Sequence, residues 1–518
     1  MLNMETDMKE TRPVLIVGAG PTGLTAAMEL ARFGVPVRLV DQYTAPPDTS
    51  RAIAVQSRTV ELMQQRGLAE EMLKLGNKGF AATLHDGKAK LGKVDLHHID
   101  SRFNFVLLLS QCETERIVRE QVERAGVRVE RETQLVDFSQ MGSGVQATLR
   151  KADGTLEKVE AAYLIDAEGA HSTVRHSMHL AFEGNSLPNT YALADLYLDG
   201  DVPEDELSIF IPESGLLAAF PMGNRRFRII ATEKHPVAQD APALDLDAIQ
   251  AAWSHAVSIP VRFRDLKWSS RFRINSRALK QLRHGRIFFA GDSAHIHSPA
   301  GGQGMNTGIQ DVINLGWKLA MVYQGLAADA LLDTYDEERL PIIHQLVSTT
   351  ERATEIANAD SRFVHMLLAH VVPLALHFDF VRRKGAGIVS ELAANYRGSS
   401  LNGNNERNGP LHTGNRFPDA AVSERGEARV LDILDPSRLT VLLLGGADAA
   451  ATLALARYRD VCVARPVAQP SAALLAALGD ATVAVVRPDG YLLCAGGPAF
   501  VRGQLDNWFA RWMTGAPD

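Results

Sequence analysis

Gly285–Lys318, GRIFFAGDSAHIHSPAGGQGMNTGIQDVINLGWK, says the most about how this chain folds. An apolar strand pattern, Ile287–Ala290, runs straight into Gly291-Asp292. Pro299 then opens a glycine cluster that closes with Gly302 and Gly304, and a helical pattern begins near Met305 and Asn306. Glycines in such a turn let main chain approach a flat ligand more closely than side chains permit. The helix start that follows offers unpaired N–H groups and a positive dipole end to an electron-rich group. Asp292, at the strand end, can accept hydrogen bonds from sugar-like hydroxyls.

A second anchor lies near the other end of the chain. Val14–Val17 is a short buried-strand pattern, followed by Gly18-Ala-Gly20-Pro21-Thr22-Gly23, a helical run Leu24–Phe33, and a second strand pattern, Val37–Val40, ending at Asp41-Gln42. This is the dinucleotide fingerprint in its proper setting, with an acidic residue about 20 positions on. Gly18 permits the tight turn, Gly20 lets a pyrophosphate approach, and Gly23 allows close packing of helix on strand. Asp41 suits ribose hydroxyls and disfavours a 2′-phosphate. The fingerprint indicates an ADP moiety and leaves FAD and NAD both open.

Together the two anchors resemble the single-component, FAD-dependent aromatic hydroxylases (class A flavoprotein monooxygenases). The likeness runs over roughly residues 12–400 and includes a third motif, Asp166-Ala-Glu168-Gly169-Ala-His-Ser172-Thr-Val-Arg175. It implies non-covalent FAD, with the first fingerprint on the ADP half and Asp292 on the ribityl chain and pyrophosphate. The Pro299–Asn306 loop would lie along the flavin ring, with main chain near Met305 and Asn306 serving its pyrimidine end. Arg51 resembles the arginine that lies against FAD near the entry of the mobile flavin. Gln111 matches the glutamine that hydrogen-bonds the cofactor's linker. The third motif, which the family uses for FAD and the nicotinamide cofactor, usually reads Asp-Gly, whereas here Glu168 precedes Gly169, keeping the charge but setting the carboxylate one methylene farther out. Asp166 offers a second carboxylate, on the same strand face as Glu168.

Composition fits a soluble enzyme in the cytoplasm. At 518 residues, 46% hydrophobic and 22% charged, the chain has material for two or three domains. A net charge of −7 without a long Lys/Arg run argues against a nucleic-acid partner. Cys112, Cys462 and Cys494 form no CxxC and no metal spacing, which suits a reducing compartment. The polar N-terminus lacks a signal-peptide core and reads as a frayed tail. Phe363–Val381 is apolar but carries His365, His370, His377, Asp379 and Pro373. It reads as an amphipathic helix packed on the FAD domain or on a sister subunit of a homodimer, not as a membrane insertion. His295 and His297 read as part of the flavin loop, with no metal site.

The expected fold is α/β: a Rossmann-like FAD-binding domain (12–180 and 276–400) interleaved with a β-sheet substrate domain (181–275), plus a thioredoxin-like C-terminal domain (417–518). Ser110–Ala125 reads as a helix, and Val127–Val136 with Gly144–Lys151 as strands of a small meander. Tyr191–Leu198, Leu207–Ile211, Leu216–Pro221 and Arg226–Thr232 read as strands, and Asp247–Val257 as a helix. That central block would roof the isoalloxazine and wall the substrate. After the polar linker Gly398–Arg416 come a strand pattern Leu439–Gly445, an alanine-rich helix, and a hairpin Ala481–Gly496. Larger members of the hydroxylase family carry such an appendage, read here as a packing or interface module without disulfide chemistry.

The resemblance implies the chemistry. O₂ reacts poorly with closed-shell aromatics, so reduced flavin traps it as a C4a-hydroperoxide, and NADPH or NADH serves as a transient reductant. The protein holds the flavin, excludes water and aims the oxygen at an electron-rich, phenolic or polycyclic ring. The alternatives are Baeyer–Villiger or epoxidising chemistry on the same fold, or a non-oxygenating FAD oxidoreductase or binding protein. No catalytic acid or base is assigned. Some phenol-oxidising relatives place an aspartate just before the Gln-x-Arg-Thr segment, whereas the corresponding stretch here, Ile53-Ala-Val-Gln56-Ser-Arg58-Thr59, starts with Ile53 and has no carboxylate. Tyr191, Asp195 and Arg226 are candidate polar groups of the pocket.

Overall fold

The computed structural model describes residues 12–46, 52–86, 89–212, 215–233, 244–298, 302–357, 385–406, 409–424, 426, 428–446 and 458–514. Arg51, Pro299, the N-terminal tail, the apolar segment Phe363–Val381 and the alanine-rich stretch after Gly446 lie outside the described residues, wholly or for the most part.

The fingerprint strand Val14–Val17 lies in a six-stranded sheet, between Tyr163–Asp166 and Val37–Val40. Ile287–Phe289 and Arg283–His284 continue one edge and Val129–Glu130 forms the other. All neighbours are parallel except Arg283–His284. Every residue of Val14–Val17 is buried, as expected of a central parallel strand covered on both faces. Helix Pro21–Arg32 packs on this sheet and against the long helix Gly304–Tyr323. Gly23 makes that turn possible, because a Cβ there would lie 1.8 Å from the Gly18 carbonyl oxygen. Gly18 itself has φ +101, a left-handed conformation that a side chain would strain. The expected single strand Val127–Val136 is not formed. The chain breaks at Glu132 (φ 49), sending Val129–Glu130 into the large sheet and Gln134–Met141 into a separate three-stranded one.

The second sheet has eight strands, ordered His295–Ile296, Val261–Ala278, Glu183–Gly200, Arg226–Glu233, Leu217–Pro221, Glu206–Phe210, Ala81–His85 and Lys90–Asp95. The last two come from early in the chain, and Ala81–His85 pairs parallel with Glu206–Phe210. Alternation splits the sheet into two faces. Ala194, Leu196, Leu198, Phe227 and Ile229 pack with Trp253 of helix Leu246–Ala256 in an apolar core. Leu193 and Ile230, paired across neighbouring strands, face the other way.

The C-terminal unit is a mixed four-stranded sheet, Cys462–Val467, Leu439–Leu444, Val483–Val486 and Leu492–Gly496, backed by helix Pro498–Trp512. Its Trp508, Phe509 and Trp512 share an apolar cluster with Trp317 and Met321 of the long helix. Among the described residues no helix is long and apolar enough to cross a membrane.

Candidate active site

A cavity of about 570 Å³ opens between the two large sheets. On one side it is lined by Gly18, Gly20, Pro21, Thr22, Asp41, Gln111, Asp292, Gly302, Gly304 and Met305, so two glycine turns far apart in sequence converge on one space. Facing them is an apolar wall from the eight-stranded sheet that includes Ala82, Leu193, Leu207, Ile209, Phe220, Ile230 and Phe272.

The cradle side fits a long, anionic, sugar-bearing cofactor. Helix Pro21–Arg32 starts at Gly20 with no side-chain cap, no acidic residue in its first turn and a proline in it. Its free N–H groups and dipole therefore serve whatever anion lies there. A Cβ added at Gly20 would meet nothing within 4 Å, which leaves open room at that helix end. The long helix likewise starts at Gln303 without a side-chain cap or first-turn acid. Asp41 is held in place by bonds from Ala19 N–H (2.7 Å) and Tyr43 N–H (2.9 Å), with Arg131 at 3.5 Å. Gln111 donates to Glu115 at 2.7 Å, and Glu115 also lines the cavity. Burial raises the Glu115 pKa above the usual carboxylate value.

The third motif stiffens the floor. Glu168 accepts hydrogen bonds from the Thr173 and Val174 N–H groups, at 2.8 and 3.1 Å, so its extra methylene reaches the helix start behind it. Asp166 accepts from Ser172 Oγ and from Glu168 N–H. Burial, with Glu168 beside it, pushes the Asp166 pKa up, and burial does the same to Glu168. Arg175 donates to the carbonyls of Ser293 and Ala170, tying this motif to the Asp292 turn.

Several residues singled out in the sequence sit elsewhere. Gly23 lies beneath the turn, and Gln42 is exposed outside the cavity. Asn306 is buried, donating to the Ala54 and Gly302 carbonyls and accepting from Gln56 N–H, all at 2.9 Å. It clamps the segment after residue 51 onto the glycine turn. Tyr191 stacks behind Phe272, with ring centroids 5.6 Å apart. Asp195 takes a two-pronged bond from Arg228 (2.7 and 3.0 Å) and a third from Arg226 (3.2 Å). These three groups share the sheet face of Leu193 and Ile230 but lie one or two steps along it, outside the cavity lining. Gln56, Gln303, His297, Arg273 and Asn275 do line it. The sequence places His297 in the flavin loop, whereas nothing local separates the other four from ordinary surface polar residues.

An uncapped dinucleotide cradle thus faces an apolar wall across one cavity. Residues 11–350 match the family model described as FAD binding domain, and 411–517 match the aromatic-ring hydroxylase C-terminal domain. The chain belongs to the family of FAD-binding aromatic-ring hydroxylases, which are flavin-dependent monooxygenases. It is 36% identical to 6-methylpretetramide 4-monooxygenase of Streptomyces rimosus, with 93% of this chain and 90% of that protein covered. It is 31% identical to pentachlorophenol 4-monooxygenase of Sphingobium chlorophenolicum, with 84% and 80% covered. Among solved structures, the OxyS anhydrotetracycline hydroxylase from Streptomyces rimosus superposes with a TM-score of 0.81 at 28% identity, covering 98% of this chain and 99% of that one.

Asp292 is placed for a direct test. Asp292→Ala should weaken FAD binding roughly tenfold to a hundredfold, since a hydrogen bond to a charged group contributes about 1.5–3 kcal/mol. The residue is exposed at the cavity edge, so the variant should fold. Titration of the apoprotein with FAD reads the loss, and unchanged affinity would make Asp292 a turn residue only.

Proposed function

We propose that this chain hydroxylates a phenolic, polycyclic aromatic compound, using FAD, O₂ and NADH or NADPH. The overall change is ArH + O₂ + NAD(P)H + H⁺ → ArOH + H₂O + NAD(P)⁺. The observation that carries the reading is the apolar sheet face set directly opposite the two glycine turns within one cavity. Flavin, when bound, supplies electron transfer from the nicotinamide and activation of O₂. The chain's own residues do the rest. Gly18, Gly20 and the helix start behind them would hold the pyrophosphate, and Asp41 and Asp292 the hydroxyls at either end. Leu193, Leu207, Ile209, Phe220, Ile230 and Phe272 would hold the fused rings and exclude water, which protects oxygen transfer from side reactions. Relatives named for action on 6-methylpretetramide and on pentachlorophenol support the aromatic class, and the extent of the apolar wall favours larger ring systems.

Two measurements test this reading. The purified protein should be yellow and release FAD on acid precipitation, since Cys112 is the only cysteine near the cradle segments and lies in the helix Gln111–Arg124. Flavin staying in the pellet would contradict non-covalent binding. NAD(P)H oxidation should be slow alone and faster with a true substrate, because a ligand accelerates reduction only by preferring the competent arrangement. One atom from labelled O₂ should enter the product. Label arriving from water, or reduction equally fast without aromatic ligand, would exclude the mechanism.

A further inference from the structure

We propose that His297 is the hydrogen-bond acceptor that fixes a hydroxyl group of the aromatic substrate, a proposal that rests on the hydroxylase reading of the cavity. His297 follows the edge strand His295–Ile296, which pairs antiparallel with Val261–Ala278 through Ile296 and Arg277. Its ring therefore sits where the apolar sheet meets the start of the long helix. Ile296, Phe272 and Asn275 line the cavity from the same end of that sheet.

The tautomer is set by geometry. Nδ1 lies 2.8 Å from the Ser298 carbonyl oxygen. A carbonyl only accepts, so Nδ1 carries the proton and Nε2 presents its lone pair. Nε2 is buried and has no hydrogen-bond partner among the described residues. It would lie 3.6 Å from a Cβ at Gly304, so it faces the helix start within the cavity. Burial pushes the ring's pKa down to about 4, so the imidazole is neutral at pH 7.

A buried acceptor without a donor is unfavourable, and the interaction is regained when a ligand brings an O–H or N–H to it. The sheet wall from Leu193 to Ile230 is hydrocarbon, so a directional bond at this end of the cavity would help decide how a flat ring is turned. An aromatic hydroxyl is the donor this position suits. A base this weak does not take the proton of a phenol. His297 holds the O–H in place and polarises it, directing the ring carbons activated by that oxygen toward the glycine turns. A ligand whose hydroxyl is capped as a methyl ether keeps the ring system, adds one methyl and loses the donor.

The test uses the FAD-loaded protein with two probe pairs, 2-naphthol against 2-methoxynaphthalene and 9-phenanthrol against 9-methoxyphenanthrene. Dissociation constants are read from the perturbation of flavin absorbance. The wild-type protein should prefer the alcohol of at least one pair by about tenfold or more, the size of one hydrogen bond. His297→Leu should bring that preference to within about twofold while FAD affinity holds, and His297→Gln, which keeps an acceptor, should retain most of it. A preference that survives in His297→Leu overturns the proposal. So does a wild-type protein that binds alcohol and ether equally or binds none of the four. Loss of FAD affinity in His297→Leu with the alcohol preference intact would show that Nε2 serves the flavin instead. NAD(P)H oxidation followed in parallel keeps the two readings apart. Discrimination by His297 without any stimulated oxidation upholds the acceptor and sinks the monooxygenase, whereas stimulated oxidation without discrimination does the reverse.

Discussion

An Arg487→Met chain should lose about 3–5 kcal/mol of unfolding free energy, the usual consequence of removing one partner from a buried ion pair. Arg487, in the C-terminal unit, bonds Glu338 through Nη1 (2.5 Å) and Nη2 (2.8 Å), and Asp489 through Nε (3.0 Å) and Nη2 (2.5 Å). Glu338 also accepts from Lys318 Nζ (2.7 Å) and Asn314 Nδ2 (2.6 Å) on the long helix. Arg487, Glu338 and Lys318 have no exposed side-chain surface. Burial pushes the Lys318 ammonium down to about 8 even beside Glu338. Burial alone would raise Glu338, but Arg487 and Lys318 overcome that and hold it well below the usual carboxylate range. With methionine at 487, Glu338 keeps one cationic partner and Asp489 loses its guanidinium. Urea unfolding of the apoprotein checks the size of the loss. An unchanged midpoint would mean that the cluster is no stronger than the apolar packing around it.

The same cluster gives the C-terminal unit a physical role. The helix that starts beside the cavity at Gly304 reaches Lys318 some four turns later, and there Arg487 and Asp489 close over it. Arg58, in the segment that follows Gln56 of the cavity wall, donates to the Asp489 carbonyl at 2.6 Å and lies 4.8 Å from the Tyr491 ring centre. The appendage thus packs against the rear of two segments whose front ends line the site.

What could be read from the sequence was what sterics or charge leave no choice about. Gly18 and Gly23 are required by a turn in which a side chain would strike main chain, so the fingerprint located that turn without a structure. Asp41 and Asp292 stood at strand ends, where a carboxylate has few reasons to be other than ligand chemistry or a turn. The second sheet was harder. Alternation marks Glu206–Phe210 as a strand but says nothing of its pairing with Ala81–His85, more than a hundred residues earlier. The break at Glu132 was hidden because the residues on both sides suit strands, and only the third dimension separates their sheets. Gln56 and Gln303 are ordinary polar residues until two distant segments face them, and His297 could be placed in the flavin loop but not given a role. One signal went unused. Asp311, Asn314 and Lys318 recur at helical spacing in an otherwise apolar run, and a polar stripe on a buried helix implies a network of partners.

Asp311→Asn should be the most damaging change near the cofactor cradle, lowering stability by about 3–5 kcal/mol and weakening FAD binding as well. Asp311 Oδ1 accepts from Arg339 Nε at 2.8 Å, and Oδ2 accepts from His295 Nε2 at 2.7 Å and Gly291 N–H at 3.1 Å. Arg339 spends its other nitrogens on Tyr396 Oη (3.1 Å) and the Thr307 carbonyl (3.2 Å), neither of which carries charge. Asparagine keeps the shape but leaves the guanidinium buried without a counter-ion. It also weakens the acceptor that holds Gly291, the residue next to Asp292, so the turn carrying the cradle's carboxylate loosens. Burial pushes the Asp311 carboxyl up, yet His295 and Arg339 more than offset that and hold it at about 2, against an ordinary 3.8. A carboxyl depressed on folding stabilises the native state above its unfolded pKa, and that contribution is lost as pH falls from about 4 toward 2. The wild-type protein should therefore lose stability more steeply than Asp311→Asn through this window, the two curves converging as acid removes the charge that the variant never had. Parallel pH–stability curves would place the stabilisation in the neighbouring hydrogen bonds rather than in the carboxylate.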